Sequence, residues 1–212
     1  MFIEKAKRVL SVENKGLNDW VKILLNSKPN SRQELKACEN LQRIAVNLGD
    51  LIKIYNLPKR FEKIRRIALI RILKIPESFE EWVYIHKYAR IDGKLSKISF
   101  EEMKKLANTT DRLVILCVVS TYHIENFGKR SPEDYKYYVE TRSSLIKKAI
   151  ESAKTIQEFT LIDHCLFEKD SKEESIIIEN MLNLVRTKED WQYVYENTRD
   201  NSNLKMISLS KL

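Results

Sequence analysis

Large apolar residues recur along the chain with a period of about 31 residues. One such residue lies at the same place in the segments LNDWVKIL, LGDLIKIY, FEEWVYIH and TDRLVILC, and again in IQEFTLID and KEDWQYVY. The six anchor residues are Trp20, Leu51, Trp82, Leu113, Phe159 and Trp191. Successive anchors are 31, 31, 31, 46 and 32 residues apart, which indicates an internal repeat with one insertion.

Other apolar residues recur at fixed distances from these anchors. The residue three positions after each anchor is aliphatic in all six copies. Upstream of the anchors, apolar residues are frequent at 14, 10 and 7 positions before, and these i, i+4, i+7 spacings put side chains on one face of a helix. Polar segments such as SKPNSRQ and EKDSKEES separate the patterns and supply turns and helix caps. Each copy therefore predicts two amphipathic helices.

Pairs of helices of about 12 residues are too short to be stable alone, but stacked pairs bury a shared core. We therefore predict an all-α chain, a right-handed α-solenoid of about six two-helix repeats. The period resembles HEAT and tetratricopeptide repeats in class, although it is shorter than either and the W-x2-L-G-x2-Y pattern is not matched. This resemblance implies a scaffold that presents an extended surface to a macromolecule, and it transfers no functional residue.

The pattern predicts a single helical-repeat domain over residues 1–212. Residues 1–13 align with the second helix of a repeat and are expected to form an N-terminal capping half-repeat. Residues 120–141 hold an insertion within the fourth repeat. Ser131 followed by Pro132 is typical of a helix start, with the serine as cap and the proline at the first helical position. The insertion is therefore expected to lengthen the first helix, turn at residues 127–130, and begin a longer second helix.

The inserted segment is also a candidate binding element, because insertions in one repeat often map to a binding face and aromatic and arginine residues are common in interfaces. The candidate residues here are Phe127, Lys129, Arg130, Tyr135 and Tyr138. The alternative is that the tyrosine cluster packs back onto the repeats to cover a mismatch. The sequence favours neither reading.

Charge is spread unevenly along the chain. Overall the chain carries 38 Lys+Arg against 30 Asp+Glu, yet residues 1–106 have a net charge of +10 and residues 107–212 of −2. The densest basic run extends over residues 59–74, on a helix whose core stripe is predicted to be Ile64, Ala68, Ile72 and Ile75. The candidate binding residues, predicted to share the outward side of that helix, are Lys59, Lys63, Arg66 and Lys74.

Three roles remain open for this basic run. Cations in a row can track a phosphate backbone, or they can receive an acidic protein, or they can be ordinary solvated surface. Ile70 and Leu73 point to the same outward side, and phosphate binding does not require aliphatic residues there. The pattern therefore favours a protein partner.

Residues that would carry catalysis are scattered. His86, His123 and His164 lie in different copies, and no HExxH, GxSxG or P-loop motif is present. Neighbouring residues on a helix diverge by about 100°, so Asp163, His164 and Cys165 are not expected to converge on one ligand. Cys38 and Cys117 fall at positions predicted to face the core. We predict no catalytic residue, no metal site, no cofactor and no small-molecule substrate.

No apolar run approaches the roughly 18 residues of a membrane span, and the first ten residues lack the apolar region of a signal peptide. We therefore expect no membrane partner and an intracellular, cytoplasmic location. The favoured function is a non-enzymatic scaffold that mediates protein–protein interaction within a larger complex. The alternative is an RNA- or DNA-binding protein of a ribonucleoprotein that uses the basic N-terminal half.

Overall fold

The computed structural model describes residues 15–89, 93–127, 131–166 and 170–212. The predicted capping half-repeat at residues 1–13 lies outside these ranges. Within them the chain forms twelve α-helices and one short 3-10 turn, with no strand. The all-α prediction is confirmed for this part of the chain. None of the described helices is long and apolar enough to span a bilayer.

Each copy of the repeat contains two helices, as the pattern predicts. The first helices are α1 Leu17–Asn26, α3 Leu48–Tyr55, α5 Phe79–Tyr88, α7 Thr110–Phe127, α9 Ile156–Asp163 and α11 Lys188–Asn197. The second helices are α2 Arg32–Ile44, α4 Glu62–Ile72, α6 Lys94–Leu106, α8 Pro132–Ser152, α10 Lys172–Leu184 and α12 Asn203–Leu209. The 3-10 turn Lys59–Phe61 precedes α4. Every first helix begins three residues before its anchor, so helix starts follow the anchor spacing.

Reciprocal capping explains why the first helices begin where they do. In α5 the Ser78 Oγ accepts a hydrogen bond from the Glu81 N–H at 3.2 Å, and the Glu81 carboxylate accepts from the Ser78 N–H at 3.1 Å. The same pair of reciprocal hydrogen bonds, called a capping box, is formed by Thr155 and Glu158 at the start of α9. A capping box also begins α11. These bonds satisfy N–H groups that the first turn of a helix leaves without a partner. In these three copies the cap lies four residues before the anchor, and the acid lies one residue before the anchor.

The repeated apolar positions form the core. The anchors Trp20, Leu51, Trp82, Leu113 and Phe159 are buried. The position ten residues before the anchor is also fully buried in every described copy, from Leu41 to Met181. Trp191 differs, because it is only half-buried in the last copy, where the second helix α12 has seven residues. The shared anchor position predicts that all three tryptophans are buried, and this prediction is wrong for Trp191.

The chain divides into two compact units, Met1–Ser99 and Phe100–Leu212, with the division inside α6. In the first unit α1 packs against α2, α3 packs against α4 and α5, and α2 packs against α4. In the second unit α7 and α8 form the most extensive pair, and α9 packs against α7, α8, α10 and α11. Helices α2, α3 and α9 therefore each contact both their own partner and the equivalent helix of the next pair.

A repeated hydrogen bond accompanies this stacking. The Asn56 side chain, five residues after its anchor, donates to the backbone carbonyl of Tyr88 at 2.7 Å. His164, also five residues after its anchor, donates from Nε2 to the carbonyl of Asn197 at 3.0 Å. Both carbonyls lie six residues after the next anchor. The same position thus makes the same contact with the following copy in both units.

The insertion lengthens both helices of the fourth copy. Helix α7 has 18 residues and α8 has 21, whereas the other first helices have 8 to 10 and the other second helices have 7 to 13. Helix α8 begins as predicted, because the Ser131 Oγ accepts from the Asp134 N–H at 3.2 Å and Pro132 is the first helical residue. Of the turn predicted at residues 127–130, Phe127 is instead the last residue of α7, and residues 128–130 lie outside the described residues.

Candidate functional site

The basic run of residues 59–74 divides into two sets of cations with different surroundings. Three arginines donate to backbone carbonyls in the last turns of α1, α3 and α2. These bonds join Arg60 to Leu25, Arg65 Nε to Tyr55 at 2.8 Å and Arg71 Nη1 to Gln42 at 2.8 Å. A cation is favourable at the negative end of a helix, where carbonyls lack an intrahelical partner. This set therefore supports the fold of the first unit.

The second set consists of the four predicted binding residues. Lys59, Lys63, Arg66 and Lys74 are all exposed, and none of their side chains makes an ion pair or hydrogen bond within the described ranges. They do not share one helix, however, because α4 extends only over Glu62–Ile72. Lys59 belongs to the 3-10 turn that follows Pro58, and Lys74 belongs to the tight turn that closes the helix before Pro76. The prediction of a single helical row is corrected accordingly.

A mixed surface, which we name the α4 face, extends along this helix and its closing turn. It consists of Lys63, Arg66, Ile70, Leu73 and Lys74. Ile70 is 50% exposed and Leu73 is 39% exposed, so two aliphatic side chains lie among three cations. The opposite side of α4 is buried at the predicted core positions 64, 68 and 72, and position 75 is half-buried. The predicted orientation of the helix is therefore confirmed.

Lys59 and Arg66 also line a cleft of about 460 Å³, which we name the basic cleft. Its third exposed cation, Lys94, is the first residue of α6 and was missed by the sequence analysis. The remaining lining residues are Tyr55, Glu62, Arg65 and Leu69. The cleft thus gathers four cations and one carboxylate from three separate segments. The spacing of residues within one helix cannot predict that cations from separate segments line the same cleft.

Tyr55 holds the walls of the basic cleft together. Its hydroxyl oxygen accepts a hydrogen bond from the Leu95 N–H at 3.2 Å, which fixes the start of α6 beside the end of α3. Its carbonyl accepts from Arg65, whose guanidinium carbon also lies 5.5 Å from the centre of the tyrosine ring. Glu62 pairs with Arg65 at 3.5 Å. The cleft is therefore built on buried, hydrogen-bonded backbone rather than on surface loops.

The structure gives different results for the five candidate binding residues of the insertion. Lys129 and Arg130 and the side chain of Phe127 lie outside the described residues. Tyr135 is exposed, as a binding residue requires. Tyr138 is 2% exposed and cannot line an accessible surface, so its assignment as a binding residue is wrong.

Tyr138 packs inside the hairpin of α7 and α8. Its ring stacks on His123 with centroids 4.3 Å apart and meets the edge of Phe100 at 5.2 Å. Burial raises the pKa of the Tyr138 phenol. A signal for this was present in the sequence, because Tyr138 lies seven residues before Leu145, which is itself a core position, and that spacing keeps both on one helical face.

A hydrogen-bonded cluster of three side chains, those of Glu101, Lys104 and Tyr137, connects α6 and α8 within the second unit. The Tyr137 hydroxyl donates to the Glu101 carboxylate, and Lys104 Nζ donates to the Tyr137 oxygen at 2.8 Å. Lys104 also pairs with Glu101 at 3.2 Å. Burial and the bond to Glu101 raise the pKa of Tyr137. Tyr137 is therefore held by hydrogen bonds although it is 37% exposed, and Tyr122 on α7 is 52% exposed.

The three reactive residues at 163–165 turn to different partners, as predicted. Asp163 pairs with Arg199 at 3.3 Å, and His164 bonds to a backbone carbonyl. The Cys165 Sγ donates to the Val114 carbonyl at 3.9 Å, and the nearby Cys117 thiol lowers the pKa of Cys165. No group of three metal-ligating side chains occurs in the described ranges.

The predicted core positions of two cysteines have different outcomes. Cys117 is buried as predicted, and Cys38 is only half-buried. Burial raises the pKa of the Cys38 thiol, with Glu34 acting in the same direction. A thiol with a raised pKa holds less of the nucleophilic thiolate at neutral pH.

The second unit contains a buried ionic network that the sequence analysis missed. Arg199 Nη2 lies 3.3 Å from the Asp163 carboxylate and 3.4 Å from that of Glu174; both carboxylates are buried and the Arg199 side chain is 10% exposed. Glu174 also accepts from the Asn203 N–H at 2.9 Å, and Arg199 Nη1 donates to the Leu166 carbonyl at 3.0 Å. The network ties α9, α10 and the start of α12 together. Its role is structural, because both carboxylates and both Nη atoms are bonded, although the buried Arg199 Nε has no partner among the described residues.

Comparisons of the chain with protein-family models, with curated proteins and with solved structures found no match in any of the three.

Proposed function

We propose that this protein is a non-enzymatic helical-repeat scaffold that binds an acidic partner protein through the α4 face, within a larger complex. The observation that carries the proposal is the exposure of Ile70 and Leu73 between three cations that make no ion pair with any described residue. The cations attract an acidic surface, and the aliphatic side chains supply the apolar area that interface cores contain.

The repeat architecture supports the same proposal. We propose that the helix pairs form a right-handed α-solenoid of about six two-helix repeats. Stacked first helices and stacked second helices within each unit support it, as do the equivalent bonds of Asn56 and His164 to the following copy. Solenoids present extended surfaces to macromolecules and carry function on those surfaces.

Nucleic-acid binding is the second candidate function. It is favoured by the four exposed cations Lys59, Lys63, Arg66 and Lys74, which make no ion pair in the described part of the chain. Four phosphate contacts predict a slope of about −3 to −4 for log affinity against log salt. Binding of this kind would depend little on sequence, because phosphate contacts carry no base information.

Affinity capture with three variants tests the proposal. Purified full-length protein is used as bait in nuclease-treated extract of the source cells, and captured proteins are identified by mass spectrometry and rebound in purified form. We expect Ile70→Ser/Leu73→Ser and Lys63→Glu/Arg66→Glu/Lys74→Glu both to lose the same acidic partner. Leu35→Ser is the matched control, since Leu35 is an equally exposed aliphatic residue on α2.

Two results would contradict the proposal. One is a partner that both α4-face variants retain as well as the control does. The other is a wild-type protein that binds a labelled oligonucleotide with the predicted salt slope and loses it in the charge-reversed variant while Ile70→Ser/Leu73→Ser keeps it. The second result would establish the nucleic-acid function instead.

A further inference from the structure

We propose that the basic cleft binds neighbouring carboxylates of an extended Glu- or Asp-rich segment of the partner protein. This inference rests on the proposed function, because it names the chemistry by which an acidic partner is recognised. It assigns the recognition to Lys59, Arg66 and Lys94 rather than to the whole basic run.

Convergence is the first argument. Lys59 comes from the 3-10 turn, Arg66 from the second turn of α4, and Lys94 from the start of α6, yet all three line one cleft of about 460 Å³. The bond between the Tyr55 hydroxyl and the Leu95 N–H holds Lys94 in place. A concave surface lined by cations concentrates the electric field, and it therefore raises the local concentration of anions.

Charge balance is the second argument. Among the described residues that line the cleft, the one carboxylate is that of Glu62, which is paired with Arg65. Lys59, Arg66 and Lys94 are exposed and have no acidic partner within that part of the chain. An anion that enters the cleft would therefore meet three exposed cations that pair with no described carboxylate.

The size and lining of the cleft favour carboxylates of a peptide over a phosphate chain. A volume of about 460 Å³ accommodates a few side chains, and Leu69 and Tyr55 give it an apolar part. Two other exposed cations of the run, Lys63 and Lys74, lie outside the lining, so the cleft does not extend into a long phosphate track. An arginine can hold a carboxylate with two parallel hydrogen bonds.

Arg66 belongs to both the basic cleft and the α4 face. An extended segment whose carboxylates enter the cleft would therefore continue over Ile70, which is 50% exposed. This continuity predicts a segment in which acidic residues are followed by aliphatic ones. A peptide made of four Glu-Glu-Leu units has this composition and serves as the probe.

Fluorescence anisotropy of the labelled peptide with the full chain tests the inference. The cleft variant is Lys59→Gln/Arg66→Gln/Lys94→Gln. The control variant, Lys22→Gln/Arg32→Gln/Lys53→Gln, removes the same charge from exposed positions outside both the cleft lining and the α4 face. We expect the cleft variant to bind about 10- to 100-fold more weakly, from about two- to five-fold for each lost charge pair, and the control to change less than about three-fold.

Circular dichroism checks that both variants keep their helices. Failure of this inference is distinguishable from failure of the proposed function. Equal losses in the cleft variant and the control would overturn the cleft as a site, whereas the α4-face variants of the capture experiment test the proposed function separately. A peptide of Gln-Gln-Leu units that binds as tightly as the acidic peptide, or no binding of either peptide, would overturn the carboxylate assignment. An oligouridylate of 12 nucleotides that displaces the peptide and binds tighter than it would overturn the choice of a protein segment.

Discussion

Replacement of Arg199 by methionine is expected to destabilise the protein by about 3 kcal/mol. The guanidinium lies between two buried carboxylates, of Asp163 and Glu174, at 3.3 and 3.4 Å. Removing one partner from a buried ion pair typically costs about 3–5 kcal/mol, because a charge remains buried without compensation. Here the two carboxylates keep backbone donors, the Arg199 N–H at 2.9 Å and the Asn203 N–H at 2.9 Å. We therefore expect the lower end of that range.

Urea unfolding of the full-length protein at pH 7, followed by circular dichroism, measures this change. The matched control is Arg66→Met, an exposed arginine for which we expect a change within about 0.5 kcal/mol. Removing the buried charges together, in Asp163→Asn/Glu174→Gln/Arg199→Met, should recover part of the loss. The reasoning is refuted if Arg199→Met lowers the free energy of unfolding by less than 1 kcal/mol (roughly the effect of an ordinary substitution).

Three further predictions concern other parts of the chain. Trp82→Ala should lower the free energy of unfolding by about 3–5 kcal/mol in urea titrations, since Trp82 is a buried anchor; an unchanged midpoint would contradict the repeat phase. Glu81 accepts two backbone N–H groups at the start of α5, which lowers its pKa from 4.5. The stability it contributes is present above pH 4.5 and is lost as the pH falls through the lowered value, so thermal midpoints of Glu81→Gln should vary less between pH 5 and pH 3. A thiol reagent should label Cys38 alone in the native protein, slowly at neutral pH, and should label Cys117 and Cys165 only in urea; early labelling of all three would contradict their burial.

The repeat pattern predicted the helices well because the start and the buried face of a helix depend on residues that are close together in the sequence. Anchor spacing gave the start of every first helix, and the Ser131-Pro132 pair gave the start of α8. The capping positions were also readable, since Ser78 and its equivalents lie four residues before the anchors with an acid three residues later. Each of these signals depends only on residues within a few positions along the chain.

The candidate site was predictable only in part, because it depends on segments that are distant in sequence. The exposure of Arg66 follows from helical phase, but the position of Lys94 in the same cleft depends on the contact between Tyr55 and the start of α6. Tyr138 was wrongly predicted to be a binding residue because the insertion interrupts the 31-residue repeat. The side of the helix on which Tyr138 lies could be predicted only from its spacing to Leu145, and not from the repeat. The role of Arg199 depends on two carboxylates from other helices.

The bonds from Asn56 and His164 to the following copy have a consequence for how such a chain can evolve. In both cases the acceptor is a main-chain carbonyl, of Tyr88 and of Asn197, and every residue type presents the same carbonyl. The accepting position can therefore mutate freely without loss of the bond, while only the donor is constrained. Neighbouring copies can diverge in amino-acid identity and still keep their alignment, so similarity between copies is expected to decay faster in such a chain than its helix positions do.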